Sequence, residues 1–215
     1  STGSVIVGGS GHIITGDYDV IAGGADSTIS GGDFNFVGGG SGLDINHSNY
    51  ASSVGGENND IITGDYSIIA GGKNNLISGN SAGNTRNVIG GGLNNSVKNA
   101  FSSIVAGGES NTITGDAACI MGGTANTIEG RGYSVIGGGE ANTARGVFSA
   151  ILGGENNETS GAYAVVAGGD GNSASGDYSF VGNGVGNKAS GEYSFVLGRN
   201  ALIAATHSGA AVLAD

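Results

Sequence analysis

The sequence predicts an all-β fold, a parallel β-solenoid of about thirteen coils, and three observations carry that reading. A phrase close to G-G-x-x-N-x-[I/A]-x-G-x-Y-S-x-[I/V]-x returns thirteen times, its first Gly or stand-in at positions 8, 23, 39, 55, 71, 91, 107, 122, 138, 153, 168, 183 and 198. The steps are 15 or 16 residues, with one of 20 between Gly71 and Gly91. Two places in the phrase are apolar in nearly every copy, and Gly is 47 of 215 residues while Pro is absent. A fixed short period along a whole chain means stacked coils, none of which folds alone.

Each element follows from its place in the phrase, numbered from the first Gly. The first strand centres two residues before that Gly, at Ile6, Ile21, Val37, Ser53, Ile69, Ile89, Val105, Ile120, Ile136, Ile151, Val166, Val181 and Val196. The second centres on +6: Ile14, Ile29, Ile45, Ile61, Ile77, Val97, Ile113, Ile128, Ala144, Thr159, Ala174, Ala189 and Ala204. β-Branched residues suit strands, and Gly suits the corners between them. No helical period competes. The missing Pro and the lack of Gly at every third position exclude collagen, and apolar residues at fixed places exclude disorder.

Position +4 is Asn in nine consecutive phrases, from Asn59 to Asn187. An amide carries donors and an acceptor, so stacked Asn side chains are expected to form a structural ladder along the coils. A polar row for a ligand is the alternative.

The residues before each Gly pair are apolar on both faces, as in Ile68-Ile69-Ala70 and Phe195-Val196-Leu197. If the middle one points inward, its neighbours point outward. They are joined there by the residue five before the Gly, which is Tyr18, Tyr50, Tyr66, Tyr133, Tyr163, Tyr178 and Tyr193, with Phe34 and Phe148. An apolar stripe of this length marks an association face, so the chain is expected to oligomerise side by side.

The segment SASGDYSFVGNGVGNKASGEYSFVLGRNALI, and within it Tyr193 to Ala201, resembles the YadA-like head repeats of trimeric autotransporter adhesins, whose signature is N-x-A-x-G-x-x-S-x-A-x-G. Similar repeats occur in fibres of phages, large viruses and predatory bacteria. The resemblance covers essentially the whole chain. It implies a homotrimer in which three left-handed parallel β-rolls pack around one axis. This chain departs from the family in its longer period, its Gly pairs and its Tyr.

Composition narrows the chemistry. The net charge is −11, and the seven Lys and Arg are scattered, so no nucleic-acid face is present. No apolar stretch reaches transmembrane length, so no direct membrane insertion is expected. Cys119 reads as a small apolar filler. No G-x-x-x-x-G-K-[S/T] occurs, and the period does not match calcium-binding β-rolls, although Asp17, Asp65, Asp116, Asp177 and Glu192 follow the mid-repeat Gly. His12, His47 and His207 lie far apart, leaving an axial His207 triad in a trimer as the one metal or chloride alternative. No catalytic set is legible, and Glu140, Glu155 and Glu158 read as solvated corners. No catalytic, cofactor or metal residues are assigned, and no cofactor is expected.

Two places break the phrase. From Gly39 to Gly55, Leu43 to Asn49 lacks the usual Asn and mid-repeat Gly. The longer break is the excess between Gly71 and Gly91. Insertions in solenoids protrude, often on the binding face, so Asn80, Asn84, Thr85, Arg86 and Asn87 form the candidate partner-binding loop.

The expected organisation is a repeat domain over 1–200 and the start of a neck or connector over 201–215, within a fragment of something longer. The expected function is a non-enzymatic, extracellular trimeric fibre or adhesin segment on a bacterial surface, anchored in the outer membrane, or on a virion. It would make multivalent contact with a cell-surface glycan or protein receptor. The alternatives are an inert spacer whose binding tip lies elsewhere and a glycan-processing spike, with an ice-binding face more distant.

Overall fold

The computed structural model describes residues 1–79, 85–130 and 132–214. Among them there is no helix, and every strand pairing is parallel. The chain divides into two compact units, Ser1–Thr112 and Ile113–Asp215. Each is a stretch of parallel β-solenoid, and between them the chain makes about thirteen turns.

In the first unit, one sheet runs in chain order from Val5–Ile6 through Val20–Ile21, Phe36–Val37, Ser52–Ser53, Ile68–Ile69 and Val88–Ile89 to Ile104–Val105. The second sheet runs from Ile13–Ile14 to Ser96–Lys98. The second unit repeats the plan, from Cys119–Ile120 to Ala211–Ala214 and from Thr127–Ile128 to Leu202–Ile203. Register follows the phrase: Ile21 pairs with Val37, and Ile45 with Ile61. Equivalent residues therefore stack in columns, which turns a sequence position into a structural row.

The two apolar columns meet inside. Ile21, Val37, Ile69, Ile89 and Val105 are fully buried against Ile29, Ile45, Ile61, Ile77 and Val97 in the first unit. Ile120, Ile136, Ile151, Val166 and Val181 do the same in the second. Thr159 is the polar member of the +6 column, and its hydroxyl donates to Ser149 Oγ at 3.0 Å.

The Asn column is a ladder, built mostly to the backbone. Asn59 Nδ2 donates to Gly55 O at 2.9 Å in its own coil and to Gly72 O at 3.0 Å in the next, while Asn59 Oδ1 accepts the Asn75 N–H at 3.0 Å. Asn142 repeats this with Gly138, Gly154 and Asn157. Direct amide-to-amide bonds are also present, as from Asn75 Nδ2 to Asn59 Oδ1 at 3.1 Å. Each Asn thus bonds a corner carbonyl of its own coil and one of the next, the latter shared with a backbone N–H, as Gly72 O is with that of Glu57 at 2.9 Å.

The two glycines of each pair differ in what they do. Gly56 has φ +94°, and a Cβ built on it would lie 2.0 Å from Gly72 O, so the second Gly is required by both backbone and space. Around Gly23, Gly71, Gly122 and Gly153, first glycines of their pairs, a Cβ would meet nothing within 4 Å.

The sixteen-residue coils take up their extra residue at one point. In sixteen-residue coils a left-handed residue sits just before the mid-repeat corner: Gly31, His47, Thr63 and Asn99. Each is anchored by its N–H or a neighbour's, as in His47 N–H to Ser30 O at 2.8 Å. The coil from Gly39 to Gly55 is therefore regular. Leu43 is buried in the place of the Asn, and Ser48 takes the corner of the mid-repeat Gly.

Beyond residue 200 the strand pairing continues. Leu202–Ile203 pairs with Lys188–Ala189, and Ala211–Ala214 pairs with Phe195–Gly198. The physical reason is that Ala201 and Ile203 occupy inward places and are buried.

Candidate interaction surface

The outward face of the first sheet is assembled from four columns, five, three and one residues before each Gly pair and the first Gly itself. The aromatic column lies at a corner, and its residues adopt left-handed backbone: φ is 57° at Tyr18, 62° at Phe34 and 57° at Tyr178. That conformation is unusual for a bulky side chain. Here a hydrogen bond from each residue's N–H to the coil before offsets it, as from Tyr66 to Asn49 O at 2.9 Å.

The consequence is a stack of parallel rings. In the first unit Tyr18, Phe34, Tyr50 and Tyr66 have centroids 5.0 Å apart and planes within 6°. In the second unit Tyr133, Phe148, Tyr163, Tyr178 and Tyr193 stack at 4.8–5.0 Å. Ring faces are covered by the neighbours, and edges and hydroxyls point to solvent, so each ring stays about half exposed. Beside the column lie Phe36, Ile68 and Ile104 in the first unit, and Met121, Leu152 and the stacked Phe180–Phe195 pair in the second.

Across these four columns in all thirteen phrases the one charged residue is Arg86, although the chain carries 7 Lys and Arg and 18 Asp and Glu. The outward face of the second sheet is different. There Arg145 binds Glu129 at 3.0 Å and also Glu158, and Asp44 stacks in register on Asp60. Burial first, and the Asp44 charge after it, push the Asp60 carboxyl above its ordinary range. One sheet face is built for water, and the other excludes charge.

The candidate loop is placed in part. Asn80 and Asn84 lie outside the described residues. Thr85 and Asn87 are fully buried and so are not surface groups. Thr85 Oγ1 lies 2.9 Å from Ser67 Oγ, and Asn87 Nδ2 donates to Ala100 O at 2.7 Å. By Thr85 the chain has regained the coil register, which turns these two side chains inward. Arg86, between them, is exposed with φ 51° and donates its N–H to Asp65 O at 3.0 Å. It holds the aromatic column's place in the coil after Tyr66.

The remaining candidate groups are separate. His12 Nδ1 accepts the Ser27 N–H at 3.2 Å, His47 sits at a corner, and His207 lines an apolar hollow with Leu202, Ile203 and Val212. The mid-repeat carboxylates hold backbone: Asp33 Oδ1 accepts the Asp17 N–H at 2.9 Å, and Asp177 Oδ1 accepts that of Ala162 at 2.9 Å. Glu140 and Glu155 stack in register at one corner, while Glu158 is paired with Arg145. Among the described residues no three His, Cys, Asp or Glu form a group able to hold a metal ion.

A second internal polar column lies four residues before the Gly, at the Ser of the repeat phrase, and its burial was not read from the sequence. It holds Asp19, Asn35, Ser67, Asn87 and Ser103 in the first unit and Ser134, Ser149, Ser179 and Ser194 in the second, all buried. Ser is its commonest residue, with Ala, Asn and Asp in the other coils, and nothing in that mixture marks the place as internal. No protein-family model matches the chain, and no curated relative is found for it.

Proposed function

We propose that this chain is a non-enzymatic segment of a surface fibre, in which three copies, each a left-handed β-roll, pack through the outward face of the first sheet. The observation that carries the reading is that face, aromatic, lined with unconstrained glycine and almost free of charge on a strongly acidic chain. A partner with the same coil spacing matches its columns along their length, which favours a second copy over an unrelated surface. The number three comes from the resemblance to trimeric adhesin heads. Three copies along one axis convert weak contacts with a cell-surface glycan or protein into avidity. Sedimentation equilibrium at micromolar concentration should return three chain masses. A folded monomer there would overturn the reading.

The spacer reading is favoured by one observation, that Thr85 and Asn87 point inward and leave Arg86 as the described side chain able to reach a partner. Attachment of Arg86→Ala to glycans or whole cells separates the two. A loss places recognition on this segment, and full attachment makes it a spacer.

A further inference from the structure

Asp19 stands in the internal column four residues before the Gly, where other coils carry Ser, Asn or Ala, and it is fully buried. Its Oδ1 accepts the backbone N–H of Asn35 at 2.8 Å, and its own N–H donates to Ser4 Oγ at 3.2 Å. Its Oδ2 is buried without a partner.

The same column shows what belongs there. Asn35 Nδ2 donates to Ser48 O at 2.8 Å and Asn87 Nδ2 to Ala100 O at 2.7 Å, each thirteen residues on. The residue thirteen on from Asp19 is Gly32. Gly32 O and Asp19 Oδ2 flank the same space beside Gly16, since a Cβ there would lie 2.0 Å from one and 2.4 Å from the other. Where its neighbours in the column present a donor to a corner carbonyl, ionised Asp19 presents a second acceptor. A protonated carboxyl restores the donor.

Among the described residues no compensating cation faces the group. Asp17 lies on its own coil and Asp33 on the next; Ser4 and Asn35 pack on either side, and the Ser1 amine reaches only Asp17, at 3.9 Å. We propose that Asp19 is a proton-binding site, held as the neutral acid donating to Gly32 O, and that it makes this part of the first unit tighten on acidification and loosen as pH rises. The direction of its titration agrees. Burial raises the carboxyl most, hydrogen bonds from Asn35 oppose that, and the Asp33 and Asp17 charges raise it further.

The linkage has a definite sign. The folded state holds the proton to a higher pH than the unfolded chain does, so the contribution is complete below the ordinary carboxyl range. It is lost as pH rises from there through the raised folded value.

The test is amide exchange at Val20, Ile21 and Phe36, corrected for intrinsic rate, from pH 5 to pH 8. It is run on the wild type, Asp19→Asn and Asp19→Ser, with infrared detection of the protonated-acid carbonyl band. Other carboxyls, Asp60 included, are common to all three proteins and cancel in the comparison. The expected result is protection in the wild type that falls with rising pH relative to Asp19→Asn, together with a protonated-acid carbonyl band, persisting above the ordinary carboxyl range, that Asp19→Asn lacks. Parallel pH profiles in wild type and variants, or no such band in the wild type, would overturn the proposal. If Asp19→Asn does not fold, Asp19→Ser and the wild-type band decide it, since Ser fills this place at Ser67 and Ser103.

Discussion

Thr159 and Ser149 join the two internal columns of the second unit through a hydroxyl–hydroxyl bond of 3.0 Å, with no solvent exposure at Thr159 and 1% at Ser149. Thr159 is the polar exception among the +6 residues, and its partner comes from a different column. Ser149→Ala should cost about 1–3 kcal/mol, because it leaves a buried hydroxyl unpaired. Thr159→Val should cost less, and the double variant should recover most of the loss. Denaturant midpoints of the four proteins measure this cycle. Strict additivity would mean that the two hydroxyls do not depend on each other.

Ser53 is the opposite case. It stands between Val37 and Ile69 in the inward column of the first sheet, is fully buried, and its Oγ has no partner. Ser53→Val replaces an unsatisfied hydroxyl by the side chain its neighbour already carries. It should stabilise by about 1–3 kcal/mol, seen as a higher midpoint at unchanged slope.

The contrast between these residues shows what was readable in advance. The apolar columns through Ile45 and Ile69 and the Asn ladder were legible, because one residue type or class recurs at a fixed spacing. The column of Asp19, Asn35 and Ser67 was legible as a position, but its burial was not, since small residues of mixed polarity fit equally well on an exposed corner. The coil from Gly39 to Gly55 looked broken because Leu43 and Ser48 replace marker residues, yet both are fully buried at those places. The candidate loop was legible as an insertion, but its end was not. Thr85 and Asn87 resemble loop residues in composition, and only the restored register turns them inward.

Arg86 occupies the aromatic place in the coil after Tyr66, with the left-handed backbone that the aromatic residues also adopt. Arg86→Tyr should therefore extend the stack of Tyr50 and Tyr66 and raise stability by about 0.5–1.5 kcal/mol. Thermal melting checks it. A lower midpoint would mean that the guanidinium, not the ring, is what this coil accommodates.

Gly153 and Gly154 are adjacent and chemically identical, and their surroundings differ. Gly154 has φ +91°, and a Cβ on it would lie 2.2 Å from Gly169 O and 2.6 Å from Asn157 Nδ2. Gly154→Ala should cost at least about 1–3 kcal/mol from backbone strain alone, and more from displacing the Asn rung. A Cβ on Gly153 would meet nothing within 4 Å. Within one copy Gly153→Ala should leave folding unchanged, or stabilise it by about 0.4–1 kcal/mol by restricting the unfolded chain. Gly nevertheless recurs at this position through the phrases, in Gly23, Gly71, Gly107 and Gly122 among others. At these positions the surrounding space gives no reason for that; under the proposed packing the close approach of another copy's backbone would. Gly153→Ala, alone and combined with Gly122→Ala, should then weaken assembly while the dissociated chain melts as before. Sedimentation across a dilution series reads the first effect, and melting of the most dilute samples the second. Assembly unchanged by both substitutions would show that this glycine line is not where the copies meet.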